Sequence, residues 1–176
     1  IHGKLIKRSI ITRNNLSFEE RLRYLETETF GYDILAHCSK AKYIRKQLYS
    51  YHVNPNVNSG VAEGINSGFE ISYLKIAKNR VQSCFKQRGL SSREIEKIGA
   101  QIFISYIIST LVSYSRSIIL GKVDLENGKK HRKLLIEKIL KNSEVSKTIG
   151  YYSCSKNENK WIPRAIKWKT HKLLEF

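Results

Sequence analysis

Methionine is absent from this chain of 176 residues, which begins at Ile1. Because an open reading frame normally starts with methionine, and patterned apolar sequence follows Ile1 at once, we interpret the chain as part of a longer protein. The chain has only two prolines and ten glycines, a composition that excludes collagen-like and low-complexity polymers. With 41% hydrophobic residues, the sequence predicts a globular fold with a buried core.

Cysteine is also scarce, with three widely separated residues, Cys38, Cys84 and Cys154. No C-x-x-C spacing occurs and no histidine lies at zinc-ligand distance, so neither a disulfide framework nor a structural zinc site is indicated. The P-loop, G-x-G-x-x-G, H-E-x-x-H, G-x-S-x-G and EF-hand motifs are missing as well. We therefore expect a reducing cytoplasmic environment. The function has to be inferred from sequence features that are less compact than these motifs.

Acidic residues are few: 15 Asp and Glu face 32 Lys and Arg, a formal charge of +17. Such an excess favours an anionic partner. It is strongest in Lys129–Phe176, which has thirteen cationic residues and four glutamates and includes Trp161 and Trp168. This segment suits the surface of an anionic membrane, or equally a helix that covers the core and shows its lysines to water. A rival hypothesis is a nucleic-acid-binding module, although no helix-turn-helix, zinc-finger, RNP or KH signature is present.

The apolar pattern predicts an α+β fold that is predominantly α-helical, with a few short strands near residues 41–53. The strands are expected at Ala41–Ile44 and Leu48–Val53, where β-branched and aromatic residues dominate. Helices are expected at about Thr27–Ser39, Ile65–Arg88 with its end at Gly89, the segment opened by the capping box Ser91-x-x-Glu94, and Lys129–Leu140.

The segment Ile98–Leu120 is rich in apolar residues and has nearly the length of a membrane span. Ser105, Ser109 and Ser113 recur every four residues on the side opposite isoleucines such as Ile107. We therefore predict an amphipathic helix that faces a protein core and does not cross a membrane.

Five of the fifteen carboxylates fall within fifteen positions, Glu19, Glu20, Glu26, Glu28 and Asp33. Glu26 and Glu28 flank Thr27 where a helix is expected to begin, so they could simply stabilise the positive end of that helix. Carboxylates beside a cleft can also act as a general base or accept hydrogen bonds from sugar hydroxyls. Both interpretations stay open on these residues alone.

Four blocks in residues 2–60 together resemble the second half of bacterial family 2 glycosyltransferases. Lys4–Ile11 is similar to the family run W-G-K-L-Y-K-R, and Asn15–Glu20 is similar to N-x-x-F-x-E. Tyr24–Phe30 stands at G-E-D-x-x-F, and Leu48–Asn56 stands at L-Y-x-Y-H followed by an N-x-N-S turn. The remaining residues resemble only the variable helical end of such enzymes.

The resemblance implies a GT-A-fold enzyme that transfers a sugar from a nucleotide-sugar donor to a glycan or lipid-linked acceptor. In the family, an N-terminal Rossmann-like half with a D-x-D motif holds the donor and a divalent metal, Mn or Mg, and that half is missing from this sequence. Residues 1–60 would be the acceptor-side part of the catalytic domain, and residues 61–176 a helical C-terminal region with a basic aromatic tail. The fragment alone is expected to be inactive, and the location implied is cytoplasmic, with peripheral attachment to the inner face of the plasma membrane.

By the same resemblance, Glu26 is the glutamate of the E-D pair, and Thr27 replaces the aspartate that serves as catalytic base. Because a threonine hydroxyl cannot deprotonate an acceptor at neutral pH, either Glu28 has taken over, or the site is inactive, or the parent protein is a degenerate paralogue. The substitution by Thr27 also supports a further hypothesis, a non-catalytic interaction domain. No residue of this segment is assigned to a metal. The residues implied to bind substrate are Lys4, Tyr51 and His52.

Overall fold

A computed structural model describes residues 5–22, 25–46, 50, 71–121, 124–154, 160–170 and 174. The chain divides into two compact units, Ile1–Leu90 and Ser91–Phe176. The domain boundary expected after residue 60 lies outside the described residues. The two units are called the first and second unit below.

The described residues form a predominantly helical protein, which confirms the helical part of the predicted fold class. The first unit contains α1 (Arg8–Arg13), α2 (Glu26–His37) and α3 (Ile71–Gln87). The second unit contains α4 (Ser92–Ile119), α5 (Leu125–Lys141), α6 (Ser143–Thr148), a 3-10 turn (Ile149–Tyr151) and α7 (Trp161–Lys167).

The strand predicted at Ala41–Ile44 is wrong. These residues have no regular secondary structure and are exposed to solvent, with Tyr43 85% exposed. A strand needs a neighbouring strand to pair its backbone N–H and C=O groups, and no strand occurs among the described residues. The second predicted strand, Leu48–Val53, lies outside the described residues apart from Ser50.

In the first unit, α2 packs against α3. The contact buries Phe30 and Ile34 of α2, and Leu74, Ala77 and Val81 of α3. The buried residues of each helix are three or four positions apart and lie on one face. The helical spacing of Leu74, Ala77 and Val81 in the sequence therefore identified the packed face of α3.

Local signals also fixed the end of α3 and the start of α4. Gly89 adopts a φ of +75° and its N–H donates to the carbonyl of Lys86 at 3.0 Å, a C-terminal cap that favours glycine. The Ser91 hydroxyl accepts from the Glu94 N–H, and the Glu94 carboxylate accepts from the Ser91 N–H at 2.9 Å. The predicted capping box is therefore confirmed.

The second unit is built around one side of α4. Ser109, on the opposite side of the helix, is exposed, whereas Ser105 and Ser113 are half-buried. The prediction that this helix faces a protein core is confirmed, and the prediction that it does not cross a membrane stays a prediction. By length and composition alone α4 could also cross a membrane: its most apolar 18-residue window has a mean hydropathy of 1.4, and 28% of it is buried. The buried residues of this unit include Phe103, Ile104, Ile107 and Leu111 of α4, Ile136 and Ile139 of α5, Val145 of α6, and Ile166 of α7.

Candidate functional site

The three predicted catalytic residues, Glu26, Thr27 and Glu28, form the first turn of α2. The turn is anchored from its inner side. Leu25 precedes it with a φ of 69° and a side chain only 5% exposed. The buried Thr29 hydroxyl donates to the Leu25 carbonyl at 2.8 Å. This anchoring fixes the backbone from which the two glutamates project.

Glu28 is exposed, whereas Glu26 and Thr27 are half-buried. The Thr27 hydroxyl donates to Glu28 Oε2 at 3.3 Å, so the threonine orients the neighbouring carboxylate. Burial raises the pKa of the Tyr32 hydroxyl, and the negative charge of Glu28 raises it further. Both glutamates lie in the first turn of α2, at the positive end of the helix dipole. An ionised, accessible carboxylate can accept a proton or a hydrogen bond from a sugar hydroxyl.

Two of the sequence blocks behind the glycosyltransferase resemblance contact each other directly. Phe18, from the block Asn15–Glu20, stacks on Phe30, from the block Tyr24–Phe30, with ring centroids 4.3 Å apart and an interplanar angle of 26°. Phe30 is 5% exposed. The stack therefore ties the loop before α2 to the helix that begins with the glutamates.

A second cluster of charged residues surrounds Arg80 of α3. Its guanidinium binds Asp33 of α2 through Nε at 2.8 Å and Nη2 at 2.7 Å, and donates to the Ser17 carbonyl at 2.7 Å. Nη1 lies 3.2 Å from Glu19 Oε2. Arg21 adds a two-pronged contact with the same glutamate, at 2.7 and 2.8 Å. Asp33 is only 4% exposed, so its charge requires this partner.

Two groups of this cluster, the Glu19 carboxyl and the Cys84 thiol, have strongly shifted pKa values. Hydrogen bonding from Arg21 is the main cause that lowers the pKa of Glu19 to about 2, and the charge of Arg80 contributes. The Cys84 thiol donates to Asp33 Oδ1 at 2.8 Å. Burial is the main cause that raises the pKa of this thiol to about 12, and Asp33 adds to the shift. The cluster therefore holds an ionised carboxylate and a neutral thiol, an arrangement suited to joining helices and not to nucleophilic chemistry.

Arg88, which directly follows α3, holds the far end of α2. Arg88 Nη2 donates to the Leu35 carbonyl at 2.6 Å and also to the carbonyl of Cys38. The last carbonyls of a helix have no partners within the helix, and a cation there complements the helix dipole. Arg80 of α3 and Arg88 just after it therefore fix the middle and the C-terminal end of α2.

The structure divides the acidic cluster seen in the sequence into two sites with different roles. Glu19 and Asp33 meet around Arg80, whereas Glu26 and Glu28 lie at the start of α2. The first pair stabilises the fold. The second pair is the candidate functional site.

Sequence reasoning missed Arg80 and Cys84, although part of the signal was present. Asp33 lies three residues after Phe30 and one before Ile34, on the apolar face of α2. A carboxylate on a buried face predicts a cationic partner. Nothing local indicates which of the many lysines and arginines fills that role.

The substrate-binding residues implied by the resemblance, Lys4, Tyr51 and His52, lie outside the described residues. The described residues contain no group of three or more His, Cys, Asp or Glu side chains that could hold a metal ion. The resemblance assigns the Mn or Mg of the family mainly to the missing half of the enzyme.

No family model, curated protein or solved structure matches the chain. The functional interpretation depends on the residues and on their geometry in the first unit.

Proposed function

We propose that the chain is the acceptor-side portion of a family 2 glycosyltransferase with a GT-A fold, which extends a polysaccharide or lipid-linked glycan from a nucleotide-sugar donor. The observation that carries the proposal is the Phe18–Phe30 stack. It supports the proposal because two blocks chosen only for their resemblance to the family form one packed element. That element presents Glu26 and Glu28 at an anchored helix start.

In this proposal Glu28 is the general base. An acceptor hydroxyl gives its proton to the Glu28 carboxylate as its oxygen forms a bond to the anomeric carbon, while the bond from that carbon to the nucleoside diphosphate breaks. The Thr27 hydroxyl, which donates to Glu28 Oε2, positions the base. Half-buried Glu26 is assigned to accept a hydrogen bond from another hydroxyl of the sugar.

Lys4, Tyr51 and His52 are proposed to contact the substrate, with His52 near the diphosphate, on the strength of the family resemblance. A nucleotide-sugar donor implies a reaction at the cytoplasmic face of the membrane when the acceptor is lipid-linked. The donor itself would be held by the half of the enzyme that precedes these blocks in the family.

The test uses the complete protein, including any residues encoded before Ile1, and measures nucleotide-sugar turnover with and without acceptor. Glu28→Ala is expected to lower turnover by about 10²–10⁴-fold, the usual contribution of a general base. Thr27→Asp, which restores the family's carboxylate, is expected to retain or raise turnover. Glu126→Ala is the matched control, because Glu126 is a carboxylate in the first turn of α5.

Two results would count against the proposal at different levels. Full activity of Glu28→Ala would remove Glu28 as the base and leave the enzyme class intact. Failure of the complete wild-type protein to turn over any nucleotide-sugar would reject the glycosyltransferase function itself.

A further inference from the structure

The helix α7 presents an exposed face that combines two tryptophans with an arginine. Trp161 is 57% exposed and Trp168 is 61% exposed. Arg164 is exposed between them, and its guanidinium carbon lies 5.7 Å from the centre of the Trp161 ring. Positions 161, 164 and 168 follow the spacing of one helical face. Most large apolar side chains are buried on folding, so two such exposed rings on a single face indicate an interaction surface.

The opposite side of α7 is fixed in the second unit. Pro163, Ala165 and Ile166 are buried, the last two at 0% and 3% exposure. The helix contacts α4 and the 3-10 turn. The tryptophans therefore cannot turn inward without exposing this packed side to water.

The residues that neighbour the two rings along the chain include several exposed cationic side chains. Lys160, Lys167 and Lys169 are exposed like Arg164. The eleven residues 160–170 contain these four cationic residues and no Asp or Glu. Such a surface attracts anions by charge and offers aromatic rings for partial burial.

We propose that this face, hereafter the α7 face (Lys160, Trp161, Arg164, Lys167, Trp168 and Lys169), binds the surface of a bilayer that contains anionic lipids. Tryptophan favours the boundary between headgroups and acyl chains, where its ring is buried and its N–H stays hydrated. Lysine and arginine beside such rings are attracted to anionic headgroups. Seven residues span about 10 Å along a helix, so both rings can enter the same boundary layer.

Exposed aliphatic side chains are also found in the second unit outside the α7 face, with Ile119 exposed at 82% and Leu120 and Leu125 at 57% each. Aliphatic side chains gain from burial among acyl chains, whereas single-stranded nucleic acids are bound by aromatic stacking and cationic grooves. The proposal concerns the second unit alone and does not depend on glycosyltransferase activity.

The sequence supplies a direct probe, because Trp161 and Trp168 are its only two tryptophans and both lie on the α7 face. The full chain is titrated with vesicles of equal parts phosphatidylcholine and phosphatidylserine, with pure phosphatidylcholine vesicles in parallel. On the anionic vesicles, tryptophan emission should move to shorter wavelength, and brominated acyl chains should quench it. Added salt should release the protein, because exposed charges are screened at high ionic strength.

Matched variants separate the α7 face from general positive charge. Arg164→Gln with Lys167→Gln should weaken vesicle binding roughly 25-fold, at about fivefold for each charge lost. Lys129→Gln with Lys130→Gln removes two exposed charges from α5 and should change binding much less, because these lysines lie outside the face. All four positions are exposed, so circular dichroism should show unchanged helix content.

Three outcomes would overturn the proposal. The first is equal loss of binding from the α5 pair and the α7 pair, which would reduce the effect to net charge. The second is equal binding to neutral and anionic vesicles. The third is a tryptophan response to a single-stranded oligonucleotide without one to vesicles, which would assign the face to nucleic acid.

Discussion

The two units join their helices with different chemistry. In the first unit, Asp33 of α2 is buried against Arg80 of α3, and Glu19 reaches the same guanidinium from the preceding loop. In the second unit, the contacts around α4 bury aliphatic and aromatic side chains such as Phe103 and Ile136. Both units therefore bury apolar side chains between their helices, and the first unit adds a buried carboxylate, Asp33, that is paired with Arg80.

This difference predicts different weaknesses. A buried ion pair roughly offsets the cost of removing its charges from water, so loss of one partner is far more damaging than loss of both. Apolar packing is sensitive to cavities but indifferent to pH. Each unit also has its own reporter, because both tryptophans lie in the second unit and the buried Cys84 lies in the first.

The largest effect is expected from a cavity in the second unit. Phe103 is fully buried, at 0% exposure, and Phe103→Ala should lower the free energy of unfolding by about 3–5 kcal/mol. Urea denaturation followed by tryptophan fluorescence measures this change. A loss no larger than the ~0.5 kcal/mol typical of surface positions would show that Phe103 is outside the packed core.

A somewhat smaller loss is expected when Arg80→Ala leaves Asp33 buried without its partner. Loss of one member of a buried pair costs about 3–5 kcal/mol, and the lower end applies because the Arg80 side chain is 24% exposed. The readout is the labelling rate of Cys84 in urea, with Cys38 and Cys154 replaced by serine.

The matched control removes both charges, in the double variant Arg80→Met with Asp33→Leu. Since two apolar side chains of similar size replace the pair, much of the lost stability should return. A double variant as unstable as Arg80→Ala would mean that the unpaired carboxylate is not the cause.

The sequence predicted those features of the fold that are decided by nearby residues. The capping box at Ser91 and Glu94, the glycine end of α3 and the apolar spacing within α3 each depend on groups within a turn or two. The start of α2 at Glu26, with Glu28 in the same turn, was located for the same reason.

Features that depend on distant partners were not predicted. Residues 41–44 have the composition of a strand, yet composition cannot supply the neighbouring strand that pairing requires. The Arg80–Asp33 contact joins residues 47 positions apart, and the cation could be chosen only by tertiary packing. The place of Glu26 and Glu28 at the start of α2 was thus predicted, whereas the contacts that hold α2 against α3 were not.

Acid should destabilise the first unit more than the second. The pKa of Glu19 falls from its usual 4.5 to about 2 on folding, so its ionised form is favoured in the folded state. This contribution is complete above about pH 4.5, and it is lost as the pH falls from there towards 2. The first unit should lose stability across that window, while the fluorescence transition of the second unit changes less.

Cys84 labelling by dithiodipyridine, which reacts with thiols in acid, follows this loss in urea at each pH. Glu19→Gln should make the stability of the first unit less dependent on pH. The pKa of Glu94 in the second unit is also lowered, by hydrogen bonds from Ser91, but this carboxylate is exposed at a helix end. A larger loss of stability at low pH in the second unit than in the first would contradict this prediction.

The smallest effect is expected from an ion pair on the surface of the second unit. Lys141 Nζ lies 3.7 Å from Glu137 Oε2, with the two side chains 80% and 36% exposed. Water screens such a pair, which contributes only about 0.3–0.5 kcal/mol at i, i+4 spacing.

A double-mutant cycle with Lys141→Gln and Glu137→Gln, measured by tryptophan fluorescence, separates this coupling from the effect of a lysine at the end of α5. The coupling between Lys141 and Glu137 should vanish at high salt. The coupling between Arg80 and Asp33 should largely persist, because salt screens a buried pair much less than an exposed one. A coupling at Lys141 as large as the one at Arg80 would remove the basis for distinguishing the two units.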